Sequence, residues 1–378
     1  MYKKITDFIH ELYQTDHFIP LHAPTFRGRE KDYLIDCIDS TFVSSVGKYV
    51  DLFEEKIADY VGAKKAIVCV NGTNALHICL KVVGVEFNDE VITQPLTFIA
   101  TTNAISYANA VPVFVDVDRD TMGLSPKALK TFLEENTEIR NKECFNINTN
   151  RRIKACMPMH TFGHACRIEE LIEICNEYYI ELVEDAAESM GSKLNGKHLG
   201  TFGKIAAISF NGNKIMTTGG GGVIVTDNEE LAKRVKHITT QAKIPHPWEY
   251  EHDEIGYNYR MPNINAALGL AQLEQLDEFV ENKRNIAKEY INFFENNSIT
   301  FFDEREGTAS NYWLNAIILD NKKSRDAFLK FSNENNVMTR PIWTLMNKMI
   351  MFKDSPKGDL SNAEWLEERV VNIPSSVL

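Results

Sequence analysis

The sequence predicts an α/β protein in which a large domain with a mostly parallel β-sheet is followed by a smaller C-terminal α+β domain. The first observation is that short apolar, β-branched runs alternate with helical patterns of roughly 10–15 residues, as in β-α-β units. The second is a change of character near residue 246, after which two long helical patterns follow. A length of 378 residues also fits two domains. We place the large domain at 1–250, with an N-terminal helical segment at 1–25, and the small domain at 251–378.

The first 60 residues are predicted to be mainly helical. Residues 1–25 form one short amphipathic helix and a linker that ends at Pro20 and Pro24, since proline interrupts helices. Helical spacing resumes over residues 30–60 and is interrupted by Ser44-Ser45-Val46-Gly47. The alternating pattern begins only after this segment.

Seven strands and four helices make up the predicted alternation. The strands are apolar and rich in β-branched side chains, and we place them at residues 66–70, 90–93, 111–115, 153–158, 180–185, 205–210 and 222–226. The intervening helices are predicted at residues 75–83, 97–108, 126–134 and 168–178. The last two strands bracket a loop that contains Lys214.

The C-terminal part is predicted to begin with two long helices. These cover residues 262–278 and 282–296. A strand at 313–319 and a helix at 324–333 follow. The remaining residues are expected to be irregular or helical.

Composition and charge exclude some classes of partner. Lys and Arg number 41 against 53 Asp and Glu, so the net charge is 41 − 53 = −12, and no basic tract is present. This disfavours nucleic acid, whose phosphate backbone requires clustered positive charge, but it does not disfavour a small anion. The seven scattered cysteines fit reduced thiols, and neither a secretory leader nor a membrane-spanning stretch is recognisable. We therefore expect a cytoplasmic protein without a membrane partner or a metal site.

One lysine and one acid suggest a specific chemistry. Lys214 lies in a loop just after a predicted strand and before the run Gly219–Gly222, and Asp185 ends an earlier strand. A lysine amine can condense with the aldehyde of pyridoxal 5′-phosphate (PLP), while a carboxylate keeps the pyridine nitrogen protonated. A lysine in a loop is more often simply solvated, so this pair needs support from other residues.

Further polar and aromatic residues follow the ends of the predicted strands. Gly72, Thr73 and Asn74 begin a helix, where the amide groups and the helix dipole favour a phosphate, although Asn71 or Thr73 could simply cap that helix. Phe98 could stack on a pyridine ring, and His160 also follows a strand. Ligands of open parallel sheets bind outside the carboxyl ends of the strands, so we expect these residues to converge.

The ordered motifs resemble the DegT/StrS family of sugar aminotransferases. The motifs are those at residues 72–77, 97–101, 113–118, 184–189, 209–214, 217–222 and 256–261. The resemblance runs from about Pro20 to Pro374. It implies an aminotransferase of fold type I, with a mostly parallel seven-stranded sheet, bound PLP, and a homodimer with shared active sites.

The resemblance also implies roles for individual residues. Lys214 would be the Schiff-base lysine and Asp185 the partner of the pyridinium, and Phe98 would stack on the ring. The phosphate would be held by Thr73, Asn74, Ser209 and Asn258 of the partner subunit. Glu188 stands near the phenolic oxygen where the family usually has glutamine or histidine, and Gly220 replaces a common glutamate. Both positions depart from the family pattern.

The implied reaction moves an amino group from L-glutamate, through the pyridoxamine phosphate form, to a nucleotide-linked 4-keto-6-deoxy sugar. A UDP-N-acetyl sugar is the expected acceptor, and residues 42–50 and 340–343 resemble the branch that makes surface-glycan precursors of the legionaminic-acid type. His160 and Arg260 are candidates for contacting the substrate, although Arg260 could instead be structural. The alternatives are a 3-keto sugar, a cyclitol ketone, and a non-catalytic regulatory homologue. A dehydratase would carry histidine in place of Lys214.

Overall fold

The structure, a computed structural model, describes residues 1–297 and 299–378. The helices are α1 Tyr2–Leu12, α2 Glu30–Asp39, α3 Lys48–Val61, α4 Gly72–Val82, α5 Ile99–Tyr107, α6 Pro126–Asn136, α7 Ile168–Glu177, α8 Glu229–Thr239, α9 Asn263–Leu273, α10 Leu276–Glu295, α11 Lys322–Glu334 and α12 Ser361–Glu367. The first seven strands are β1 Lys65–Cys69, β2 Glu90–Thr93, β3 Val111–Phe114, β4 Thr137–Arg140, β5 Glu143–Asn146, β6 Arg152–Met157 and β7 Glu181–Asp185. The remaining strands are β8 Lys193–Leu194, β9 Lys197–His198, β10 Ile205–Ser209, β11 Gly222–Thr226, β12 Lys243–Ile244, β13 Glu251–His252, β14 Thr300–Phe301, β15 Thr308–Ala309, β16 Asn315–Ile318, β17 Arg340–Pro341 and β18 Val370–Ile373.

The central sheet contains all seven predicted strands, in the order β1-β11-β10-β7-β6-β2-β3. The neighbours from β10 to β3 pair in parallel, whereas β11 runs antiparallel to both β10 and β1. The predicted fold class, a mostly parallel sheet between helices, is therefore confirmed. Of the described residues, none belongs to a helix that is both long and apolar enough to cross a membrane.

Both faces of the central sheet are buried. In β1, Val68 belongs to one apolar cluster and Ile67 to another, and Ile208 and Ala207 of β10 divide in the same way. Because successive side chains of a strand point to opposite faces, the two clusters lie on opposite sides of the sheet. This burial explains why the strands appear in the sequence as continuous apolar runs rather than as alternating patterns.

A second sheet, with the order β14-β16-β18-β17, is entirely antiparallel. Its cluster contains Ile317 and Val371 together with Ile5 and Ile9 of α1. The N-terminal segment, which we grouped with the large domain, thus packs on C-terminal elements. The division into domains at residue 250 stays a prediction.

Several local features differ from the predicted pattern, and one of them is helix α8, which was not predicted. The antiparallel pair β4–β5 was not predicted, and strand β18 lies where irregular or helical structure was expected. The break between the two long helices falls at residues 274–275, not after 278. There the side-chain amides of Gln272 and Gln275 donate to Glu30 Oε1 at 2.7 and 2.8 Å. These hydrogen bonds join parts of the chain more than 240 residues apart, which local periodicity does not reveal.

Candidate active site

The Lys214 loop connects β10 to β11 at the carboxyl end of the sheet. It is closed by backbone hydrogen bonds from Phe210 N–H to Gly221 O (2.8 Å) and from Thr218 N–H to Phe210 O (3.0 Å). The indole N–H of Trp313 donates to Asn213 O at 2.7 Å. The loop is thus anchored on both sides of Lys214, whose side chain is only 12% exposed.

The Lys214 amine lies between a carboxylate and an aromatic ring. Its Nζ is 3.1 Å from Glu188 Oε1 and 3.7 Å from the ring centroid of Trp313. The other oxygen of Glu188 accepts the Phe162 N–H at 2.8 Å. Burial raises the pKa of Glu188 to about 7, although the nearby Lys214 opposes the rise. The carboxylate at this unusual position therefore faces the reacting lysine.

Asp185 is fixed at the end of β7, next to the Lys214 strand. It pairs with Ala207 of β10, and Ser209 ends β10 two residues further on. Its carboxylate accepts hydrogen bonds from Thr101 Oγ1 (2.7 Å) and Ala187 N–H (3.1 Å). Burial raises the pKa of Asp185, whereas these two hydrogen bonds and the charge of Lys214 favour its ionised form.

The start of α4 makes close contact with the ends of β10 and β11. A Cβ on Gly72 would lie 2.8 Å from Ser209 Cβ, and one on Gly222 would lie 2.7 Å from the carbonyl of Asn71. Asn71 caps the helix, because its Oδ1 accepts the Asn74 N–H at 2.8 Å. The glycines thus bring the Ser209 hydroxyl against the first turn of α4, which also carries Thr73. A hydroxyl beside a helix N-terminus fits a phosphate group.

Phe98 offers a free aromatic face near these groups. It immediately precedes α5 and is 49% exposed. Its ring lies 6.3 Å from that of Trp343, and Trp343 lies 5.1 Å from Phe162, whose N–H binds Glu188. An aromatic surface therefore extends from the exposed Phe98 toward the buried Glu188. Together with the phosphate cradle, Asp185 and Lys214, it fits PLP, since the phosphate, the ring, the pyridine nitrogen and the aldehyde of the cofactor each have a suitable residue.

His160, which was expected to contact the substrate, lies in the protein interior. It is fully buried, and its Nε2 lies 3.0 Å from Glu184 Oε2, while its Nδ1 accepts the Cys166 N–H at 3.3 Å. Because Nδ1 accepts this N–H, the ring proton lies on Nε2 and is donated to Glu184. Both ring nitrogens are engaged inside the protein, so the contacts favour a supporting role. The substrate role stays a prediction.

Asn258 lies on an extended segment outside the Lys214 loop. Its neighbours Tyr257 and Tyr259 pack on His77, with ring centroids at 5.0 and 6.0 Å, and Tyr259 O accepts the Val70 N–H at 2.9 Å. Asn258 itself points outward and is exposed. The segment is therefore held firmly while its polar side chain remains available to another molecule.

Arg260, two residues further on, borders a cavity with a cationic lining. The cavity has a volume of about 730 Å³, and its basic lining residues are Lys243, His246, His252 and Arg260. The Nε of Arg260 is buried and has no hydrogen-bond partner in the part of the chain that is described. The role of Arg260 in contacting the substrate stays a prediction.

Sequence reasoning did not identify Trp313 or Thr101 as parts of the site. Thr101 lies within the Thr97–Thr101 motif, so its position beside Asp185 could have been inferred from that motif. Trp313 comes from a remote segment and carries no local signal. Only the folded chain shows that its ring covers the Lys214 amine.

The raised pKa of Glu188 predicts a pH-dependent effect on stability. The ordinary pKa of a glutamate side chain is 4.5. Between about pH 4.5 and 7, Glu188 is therefore ionised to a larger extent in the unfolded chain than in the folded one. The free energy of unfolding of the wild type consequently decreases as pH rises through this range. We expect Glu188→Gln to remove this loss. The variant should gain up to about 3 kcal/mol relative to wild type between pH 5 and pH 8. Urea unfolding of both cofactor-free proteins at the two pH values measures the gain.

The control is Glu281→Gln, which changes an exposed glutamate on α10. It should leave the difference between pH 5 and pH 8 as it is in the wild type. If Glu188→Gln showed the same pH dependence as the wild type, the buried carboxyl would not titrate as described.

Comparison with known proteins supports the same chemistry. The sequence profile of the DegT/DnrJ/EryC1/StrS aminotransferase family matches residues 24–378. The chain is 38% identical over 358 residues to the GDP-perosamine synthase of Escherichia coli O157:H7, covering 95% of this chain and 93% of that protein. It is 35% identical over 362 residues to the GDP-perosamine synthase of Vibrio cholerae, covering 94% of each.

A solved structure shows the same fold. The DegT/DnrJ/EryC1/StrS aminotransferase from Brucella abortus superimposes with a TM-score of 0.83 at 26% identity, over 92% of this chain and 90% of that one. Family membership thus rests on nearly the whole chain, and the residues around Lys214 fit the cofactor that the family uses. The chain belongs to the DegT/DnrJ/EryC1/StrS aminotransferase family and is a PLP-dependent sugar aminotransferase.

Proposed function

We propose that the protein transfers the amino group of L-glutamate to a nucleotide-linked 4-keto-6-deoxy sugar for the synthesis of surface glycans. The observation that carries the proposal is the Lys214 amine, 3.1 Å from a buried carboxylate and beside a cradle suited to phosphate. The sequence favours a UDP-linked N-acetyl sugar, whereas the two relatives are named for a GDP-linked sugar. The nucleotide is therefore the first variable to test. The cytoplasmic location stays a prediction.

Three side chains and the bound cofactor would share the chemistry. Bound PLP supplies a ring that accepts the electrons left when the α-proton of the amino donor is removed. Lys214 Nζ would take that proton as a base and then donate it as an acid later in the same half-reaction. Glu188 Oε1, 3.1 Å away and with a pKa of about 7, can accept a hydrogen bond from this amine in either state. Asp185, held by Thr101 and Ala187, would keep the pyridine nitrogen protonated.

The phosphate and ring of the cofactor would be held by residues that carry no reacting proton. Ser209, Gly72 and the first turn of α4, with Thr73 and Asn74, form the cradle, because helix N-termini favour anions. Phe98 would lie against the ring with its exposed face. These contacts would orient the reacting carbon toward Lys214.

We further propose a homodimer in which each subunit completes the site of the other. Six apolar side chains between residues 26 and 46 are 45–60% exposed, namely Phe26, Ile35, Ile38, Phe42, Val43 and Val46. Such a group of exposed apolar residues fits an interface. A second copy seated there would allow Asn258 of the partner subunit to reach the cofactor phosphate. Its cation-lined cavity, with Arg260, would then accept the anionic nucleotide part of the acceptor.

An absorbance experiment tests the donor half of this function. The purified protein is loaded with PLP, and its spectrum is recorded before and after L-glutamate is added. We expect the band of the lysine-bound cofactor to give way to that of pyridoxamine phosphate, because Lys214 and Asp185 are in place. A loaded protein with no such band would favour a non-catalytic regulatory homologue.

The acceptor is then identified with the reduced form. UDP-linked and GDP-linked 4-keto-6-deoxy sugars are compared with a 3-keto nucleotide sugar and a cyclitol ketone. We expect one of the 4-keto sugars to restore the original band at least about tenfold faster than the other ketones, a difference of about 1.4 kcal/mol in barrier. Faster restoration by the 3-keto sugar or the cyclitol would contradict the proposed position of amination while leaving the aminotransferase intact.

A further inference from the structure

We propose that Trp313 is a positioning residue that holds the free amine of Lys214 ready for proton transfer. This inference rests on the proposed role of Lys214 as the reacting lysine. The Nζ atom lies 3.7 Å from the centroid of the indole ring, so the charged amine sits directly over its face. Contacts of this kind stabilise an ammonium group, and tryptophan gives the strongest of them.

Trp313 controls the position of the Lys214 loop as well as the amine. Its indole N–H donates to Asn213 O at 2.7 Å, and Asn213 immediately precedes Lys214 in the chain. One side chain therefore fixes both the backbone before the lysine and the atom at the tip of the lysine. A rotation of the Lys214 side chain away from the site would lose the contact with the ring, and a shift of the loop would lose the hydrogen bond to Asn213.

The other partner of the amine is linked to the same tryptophan. Asn311 Oδ1 accepts the Trp313 N–H at 2.8 Å, while Asn311 Nδ2 donates to the carbonyls of Glu188 (2.8 Å) and Met190 (2.9 Å). Asn311 thus joins the backbone of Trp313 to the backbone of Glu188. The Lys214 amine contacts the side chains of both residues, which are carried by these linked segments.

A buried lysine holds the backbone of Trp313. Lys283 of α10 is fully buried, and its Nζ donates to Trp313 O at 3.2 Å and to Ser375 O. Trp313 itself is only 4% exposed. The indole is therefore held through its backbone N–H, its carbonyl and its ring N–H. It can act as a rigid support for Lys214, which a flexible surface residue could not do.

The test measures the amine itself in the cofactor-free protein. Trp313→Leu removes the ring face, and Trp313→Phe keeps a weaker face but loses the indole N–H. Each protein receives a trace of an amine-acylating reagent, and mass spectrometry compares Lys214 with the other lysines. We expect Lys214 to react about threefold to tenfold faster in Trp313→Leu and about twofold faster in Trp313→Phe, because the indole ring covers the amine and restricts its access to the reagent.

Trp365→Leu is the matched control. Trp365 also lies against cations, with Arg119 at 4.4 Å and Arg369 at 4.8 Å from its ring, but it does not contact Lys214. The labelling of Lys214 should remain at the wild-type level in this variant. If Trp313→Leu does not fold, Trp313→Phe alone decides. Wild-type labelling of Lys214 in a folded Trp313 variant would overturn the proposal.

A second measurement separates positioning from general damage to the site. In the glutamate half-reaction, Trp313→Leu should lower the maximal rate about tenfold or more, while the glutamate concentration giving half-maximal rate changes by less than about twofold. Glutamate deuterated at the α-carbon should show a larger isotope effect in the variant, because proton transfer becomes slower. An unchanged isotope effect together with weakened glutamate binding would assign Trp313 a binding role and contradict the proposal.

Discussion

Replacing Lys214 by alanine should reduce the rate of amino transfer by at least about a thousandfold, since the variant lacks the amine that carries the proton. Glu188 is the nearest remaining base, but it is fixed toward the Phe162 N–H at 2.8 Å, and its geometry relative to the α-carbon would not match that of Lys214. The loaded variant should also lack the absorbance band of the lysine-bound cofactor. Rates with saturating glutamate and acceptor, together with the spectrum, measure the effect.

The matched control is Lys204→Ala, which removes an exposed lysine just before the same strand, β10. Its amine pairs with Glu181 at 2.8 Å, far along the strand from the cradle at Ser209. This variant should retain activity within about twofold, because surface ion pairs contribute little. A Lys214→Ala protein as active as the control would remove Lys214 from the mechanism and with it the proposed function.

Mixing two inactive variants should restore activity if active sites are shared between subunits. One variant carries Lys214→Ala, and the other carries Asn258→Ala and Arg260→Ala. In a mixed dimer, one site combines an intact Lys214 with an intact Asn258 and Arg260 of the partner subunit, while the second site carries all three changes. Random exchange of subunits makes half of the dimers mixed, each with one good site. We therefore expect about a quarter of wild-type activity.

This outcome distinguishes two arrangements of the same residues. If Asn258 and Arg260 served the Lys214 of their own subunit, no combination would contain a complete site, and the mixture would stay inactive. The separate variants provide the baseline, and a brief unfolding and refolding step ensures that subunits exchange. Restored activity would establish that the protein is a dimer and that residues 257–260 of one subunit contribute to the active site of the other. Continued inactivity would contradict the shared site while leaving the role of Lys214 untouched.

Much of the fold was predictable because the signals that specify it are local. The strands of the central sheet are short apolar runs, and each was placed within one residue or so of its position in the structure. Lys214 and Asp185 could be recognised because each follows a strand, and the carboxyl ends of parallel strands lie at one edge. In a mostly parallel sheet, the place of a residue at the end of a predicted strand therefore predicts the edge of the sheet at which it lies.

The features that were missed depend on contacts between remote parts of the chain. The helix break at residues 274–275 is held by Glu30, and strand β18 is short and depends on its neighbours β16 and β17. Trp313 reaches Lys214 only because the small antiparallel sheet lies beside the large one. His160 was correctly placed after a strand, but its pairing with Glu184 depends on burial that sequence position alone does not indicate.

The packing of the first helix on the last strand has a consequence for the order in which the chain can fold during synthesis. Ile5 and Ile9 of α1 share an apolar cluster with Val371 and Ile373 of β18. A ribosome releases the N-terminal residues long before it has made the C-terminal ones. The first helix therefore has to wait, with its apolar face uncovered, until β18 has emerged. Its docking is then a late event in the folding of the residues described.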